Sequence, residues 1–99
     1  MYLNRLTLKK TKVKKQGDSL IIRIPAQVAR NYEIEENEEI PLVEIHRKKQ
    51  TVALYDIKIR KYGHSLVLLI PADIAKNFKI EENEEIPLVE IYRSADDEF

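Results

Sequence analysis

The stretch KVKKQGDSLIIRIPAQVARNYEIEENEEIPLVEIHR, residues 12–47, returns as KIRKYGHSLVLLIPADIAKNFKIEENEEIPLVEIYR, residues 58–93. The two align without a gap at a shift of 46 residues, and 23 of the 36 positions are identical. Segments 34–45 and 80–91 are identical throughout, and most of the other differences are conservative, such as Val13/Ile59, Lys14/Arg60 and Tyr32/Phe78. Chance does not produce such a match. The chain is one small unit, duplicated and fused in tandem.

Each copy reads in the same way. Alternating residues around Val13, Lys14 and Lys15 lead to Gly17, where a tight turn requires a residue tolerant of positive φ. Segment 20–24 is apolar and β-branched, which predicts a buried strand. Pro25 ends that strand and suits the first turn of a helix, predicted over 26–32 with Val28, Ala29 and Tyr32 at helical spacing. The acidic run 35–39 is a polar turn, with Asn37 the best candidate for a left-handed backbone and solvation its favoured role. Segment 40–45 is another strand, where Pro41 suggests an edge or a strand start. Segment 49–57 is a fourth strand linking the copies.

The second copy has no such strand after it. Segment 3–11 precedes the first copy, and the same shift lays Leu6 over Val52 and Leu8 over Leu54. The N-terminal strand is therefore expected to fill the vacant position, closing the chain like a circular permutation of two equal halves. The expected organisation is one barrel over 1–93, made of repeats 1–46 and 47–93, followed by a short acidic tail at 94–99.

A length of 99 residues supports one domain at most. Cysteine is absent, which excludes disulfides and thiolate metal sites and fits a reducing compartment. Two histidines without cysteine give no recognisable transition-metal set, and the EENEE runs lack the glycine and alternating Asp/Asn of a calcium loop. No cofactor is expected. Two glycines and no scaffolded nucleophile–base order argue against an enzyme. No apolar run approaches a membrane span, and segment 1–10 lacks the apolar core of a signal peptide. A cytoplasmic, nucleoid-associated protein is the expectation. The abundance of Lys, Glu and Ile is common in hyperthermophiles, so an archaeal source is also expected.

The net charge of zero conceals strong sorting. Blocks 1–32, 33–45, 46–78 and 79–99 carry +7, −6, +5 and −6. Such a chain is expected to present one basic and one acidic face.

The pattern of a basic pair, any residue, glycine, a polar residue and serine, closing on Ile-Pro-Ala, reads here as KKQGDSLIIRIPA and RKYGHSLVLLIPA. With the short helix, acidic turn and strand that follow, it resembles the AbrB/SpoVT family, and its glycine-to-proline gap is closest to the MazE-like antitoxin branch. The resemblance covers nearly the whole chain, twice. It implies a mainly β fold with two short helices: a swapped-hairpin β-barrel, here a single-chain pseudo-dimer. It also implies double-stranded DNA as partner, and a transcriptional regulator of the AbrB type, either sequence-tolerant or operator-specific.

By resemblance, the DNA contacts map to Lys14, Lys15 and Arg23 in the first copy and to Arg60, Lys61 and His64 in the second. Two departures weaken the symmetry of that face: Leu69 stands where the second arginine would, and Asp18 follows the first glycine. Lys9, Lys10, Lys12 and Lys58 would extend the patch, with Arg30 and Lys76 on the helices as secondary candidates. The two basic pairs are expected to converge near one two-fold axis. Tyr55 and Tyr62 are expected to pack on the sheet, and His46, whose counterpart is Tyr92, to be a packed or half-exposed strand residue. The alternative is an antitoxin-like or other protein-interaction module using the acidic face. Only 94–99 follows the second copy here, so a toxin-wrapping tail is not expected and a standalone regulator is the expectation. Homodimers of pseudo-dimers are expected if 40–45 and 86–91 present strand edges.

Overall fold

A computed structural model describes residues 2–95, and the side chains of residues 4–94. The chain order is β1 (Tyr2–Lys12), β2 (Lys14–Gln16), β3 (Ser19–Ile24), α1 (Ala26–Asn31), β4 (Glu39–His46), β5 (Thr51–Tyr62), β6 (Ser65–Ile70), α2 (Ala72–Asn77) and β7 (Glu85–Ala95). The strands form one antiparallel sheet in the order β1-β7-β4-β5-β6-β3-β2. The protein is thus mainly β with two short helices, as expected.

Strand β5 belongs to both ends of the sheet. Its residues 51–58 pair with β4, its last four residues with β6. One wing is therefore β1-β7-β4-β5 and the other β5-β6-β3-β2. Both wings feed a single core, with Leu6, Ile45, Val52 and Ile91 from the first and Ile22, Ile24, Leu68 and Ile70 from the second. A flat sheet cannot bring these side chains together, so the sheet curls around them. The radius of gyration, 13.1 Å, is that of a compact domain of this length.

Each pairing within a wing's outer pair occurs twice, displaced by the repeat length: β1–β7 matches β5–β4, and β2–β3 matches β5–β6. Leu6 faces Ile91 as Val52 faces Ile45, and Lys14 faces Ile21 as Arg60 faces Val67. Where the copies meet, equivalent residues face each other: Ile22 opposite Leu68 between β3 and β6, and Glu44 opposite Glu90 between β4 and β7. The N-terminal strand takes the expected place, with β1 beside β7 in the register of β5 beside β4, and Leu6 and Leu8 are buried.

The wings join at Val13 and Ile59, both fully buried. Here the acidic turns have a structural task. Asn37 and Asn83 adopt φ of 73° and 72°, the left-handed conformation expected of Asn37. The Asn37 N–H donates to the Ile59 carbonyl at 2.8 Å, and the Asn83 N–H to that of Val13 at 2.7 Å. Each copy's turn thereby pins the other copy's strand.

Several expectations are corrected. The linking strand does not stop at 57; it runs unbroken to Tyr62, because Ile59 continues the core-facing line into the second wing. Segments 40–45 and 86–91 present no edge: β4 lies between β5 and β7, and β7 between β1 and β4. The missing N–H of Pro41 is accommodated opposite Asp56, whose positive φ of 55° breaks the ladder there, as Lys10 at 54° does opposite Pro87. The helices are shorter than predicted by one residue, and Pro25 precedes the first turn as its cap. Tyr55 is 68% exposed and does not pack on the sheet.

Candidate nucleic-acid interface

Side chains alternate across a strand, so the second wing has an outer face opposite the core. Residues Leu20, Ile22, Ile24, Leu66, Leu68 and Ile70 point inward, and Ile21, Arg23, Val67 and Leu69 lie on the other side. Two adjacent rows cross this outer face. One runs Lys14–Ile21–Leu69 over β2, β3 and β6; the next runs Arg23–Val67–Arg60 over β3, β6 and β5. Ile21 and Val67 are buried although they face away from the main core, while Lys14, Arg23 and Arg60 are exposed. Cationic side chains thus stand over a small apolar floor. Long basic side chains can cover such a floor with their stems and keep their charges in water.

This arrangement corrects the expected convergence. Strand β2 does not pair with β5, because β3 and β6 lie between them. Lys14 and Arg60 therefore sit at the two margins of the wing, about 14 Å apart across the strands at ~4.8 Å per strand and one row apart along them, with Arg23 between. Leu69 is half-exposed on the same face, where it and Arg60 line a shallow depression with Lys58 and Asp56.

Lys15 and Lys61 alternate to the other side and enter two equivalent grooves beside the helices. One groove, 430 Å³, is formed where α1 meets the β5–β6 hairpin and brings together Arg30, Lys61, His64, Glu35 and Glu36. Its counterpart, 570 Å³, brings together Lys76, Lys15, Asp18, Glu81 and Glu82. The first carries histidine where the second carries aspartate, so the asymmetry visible in the sequence is also one of groove charge. The hairpin tips at Gly17 and Gly63 both adopt φ of 61°, as their turns require.

The secondary candidates divide. Arg30 and Lys76 join the grooves. Lys12 faces Glu85 and Lys58 faces Glu39 across their strands, so each lies opposite an acidic partner position. Lys9 faces Leu88 on the first wing and, with Lys10, does not extend the patch. None of the twelve candidate side chains makes an ion pair or hydrogen bond among the described residues.

Other cations are engaged structurally, which sequence reasoning missed. Arg93 donates to Glu38 through Nε at 2.7 Å and Nη2 at 3.1 Å, and through Nη1 to the Tyr32 carbonyl at 2.7 Å. Arg47 repeats this with Glu84 and the Phe78 carbonyl. Of each EENEE turn, the fourth residue is therefore half-buried and paired, and only the others are left to solvent. The only advance signal was the identical placing of Arg47/Arg93 and Glu38/Glu84 in the repeat.

On the first wing's outer face, His46 Nε2 lies 2.8 Å from Glu90 Oε1 and 3.7 Å from Glu44 Oε1. Hydrogen bonding from His46 holds the Glu90 carboxyl below its usual value against the opposing effect of desolvation, helped by the charge of Arg5. Burial pushes the Tyr92 phenol up. His46 is half-buried, as expected. Among the described residues no helix is long and apolar enough to cross a membrane. Comparison with family models, with curated proteins and with solved structures found no match.

Proposed function

We propose that the protein is a single-chain pseudo-dimer of the AbrB/SpoVT swapped-hairpin type, and that it binds double-stranded DNA through the outer face of the β5-β6-β3-β2 wing. The observation that carries the reading is the set Lys14, Arg23 and Arg60: three exposed cations, none ion-paired among the described residues, on one face of the sheet. Their spread across the wing is comparable to the ~12 Å width of the major groove. A sheet can present cations to phosphates on either side of such a groove, with Arg23 placed to reach between them. The doubled strand register and the reciprocal pinning by Asn37 and Asn83 support the pseudo-dimer.

The acidic residues favour this reading over an interaction module on the acidic face. Glu38 and Glu84 are engaged by arginines, and Glu39 and Glu85 stand opposite lysines. Operator-specific regulation follows only if base contacts accompany the phosphate contacts, whereas sequence-tolerant, nucleoid-associated binding needs the phosphate contacts alone. Gel shifts with specific and random duplexes over a range of salt test the proposal. Binding that weakens steeply with salt supports it. No shift with either duplex at low salt contradicts it.

A further inference from the structure

The register sets Glu44 directly opposite Glu90 between β4 and β7. Like charges in that relation are destabilising, and both side chains are less than one-third exposed, at 30% and 13%. His46 and the Tyr92 hydroxyl stand between them. Arg5 reaches only the far oxygen, Glu90 Oε2, at 3.1 Å. The near oxygens, Oε1 of each glutamate, converge with His46 Nε2, all within 4.8 Å of one another.

The surroundings fix this geometry. His46 Nδ1 lies 3.0 Å from Thr51 Oγ1, which orients the ring from behind. The Tyr92 hydroxyl lies 3.2 and 3.3 Å from the two near carboxylate oxygens and shares its one proton between them. The duplication makes the site asymmetric: from 34 the copies are identical until His46 meets Tyr92, and the counterpart of Arg5 is Thr51. Those two departures give the cluster one nitrogen donor and leave Glu44 without the guanidinium partner that Arg5 gives Glu90.

We propose that Glu44, His46 and Glu90 form a site for one divalent transition-metal ion, with zinc the best fit. One imidazole and two carboxylates are ligands zinc accepts, with the fourth position left to water; the ion replaces the proton that bonds His46 Nε2 to Glu90, which is released on binding. Arg5 on Glu90 Oε2 and Thr51 on His46 Nδ1 act as the outer contacts that orient metal ligands. Two carboxylates against one guanidinium leave a net negative charge, so a dication is attracted. The ligands come from two strands 44 residues apart in sequence, which hid the set from a search for local spacing.

The test is calorimetric titration of the tag-free full-length protein with zinc, together with His46→Tyr and Glu90→Gln. His46→Tyr introduces the residue that the fold already carries at Tyr92, so it leaves the sheet intact, which circular dichroism checks. His64→Gln controls for the other histidine. The expected result is one zinc per chain, unchanged in His64→Gln and weakened at least about tenfold in His46→Tyr and Glu90→Gln. Absence of saturable binding, or equal binding by folded His46→Tyr, overturns the site. Neither outcome bears on DNA binding, which uses the other wing.

Discussion

Arg93, at the end of the second copy, holds Glu38, in the acidic turn of the first, by two hydrogen bonds of 2.7 and 3.1 Å. Arg47 holds Glu84 in the same way. Each pair joins opposite copies, so the two halves are locked by reciprocal, charge-assisted forks. Arg93→Ala leaves the Tyr32 carbonyl and a half-buried carboxylate without this partner. We expect a loss of about 2 kcal/mol, read as a drop in Tm of roughly 10 °C for a domain of this size. Arg93→Lys should recover only part of it, since an ammonium cannot form the fork. Equal stability of Arg93→Ala and the parent would show that the locks are incidental.

The N-terminal strand contributes Leu6 and Leu8 to the core and covers the outer side of β7. Deleting residues 1–10 removes both side chains and uncovers a new strand edge. The expected cost is several kcal/mol, since one buried leucine alone is worth about 2–5 kcal/mol when cut to alanine. Thermal or urea denaturation measures it, and an unchanged midpoint would refute the closure by β1.

How much of this was legible in sequence depended on the range of the interaction. The repeat, the left-handed Asn37, the glycine turn at Gly17 and the pairing of the N-terminal strand were all readable, because each rests on local backbone chemistry or on transferring one copy's pattern to the other. What was not readable required knowing which strands lie between which. The interposition of β3 and β6 separates Lys14 from Arg60, and no periodicity in a single strand reveals that. The same holds for Glu38 with Arg93 and for Glu44 with His46 and Glu90, whose meeting depends on strand order. Tyr55 was misread because alternation assigns a face without saying what covers it.

On the proposed DNA face, Leu69 stands where the resemblance implies a second arginine. It is half-exposed and lies across from Ile21 on the outer side, not among the core residues Leu68 and Ile70. Leu69→Arg is therefore expected to leave the melting temperature nearly unchanged and to tighten DNA binding. A cation that neutralises one more phosphate should also steepen the salt dependence by about 0.9 in log–log slope. A strongly destabilised Leu69→Arg would place the residue in the core and contradict the assigned face.

Lys15 and Lys61 occupy the grooves beside the helices, apart from the outer row. Their joint replacement by alanine should weaken DNA binding less than the joint replacement of Lys14 and Arg60, although all four are basic and exposed. Anisotropy titrations of the two double variants on one duplex compare them. A reversed order would move the interface from the sheet face to the hairpin and helix side.

The central claim, that the outer face of the second wing binds DNA, is met most directly by the variant Lys14→Ala/Arg23→Ala/Arg60→Ala. Its affinity for duplex DNA should be measured by fluorescence anisotropy across a salt series, beside the parent. The account predicts binding by the parent that falls with salt, and a variant of parental stability with lower affinity for every duplex. Its log–log slope should be shallower by up to about 0.9 for each phosphate that is no longer neutralised. Equal affinity of the folded variant and the parent at low salt would contradict it.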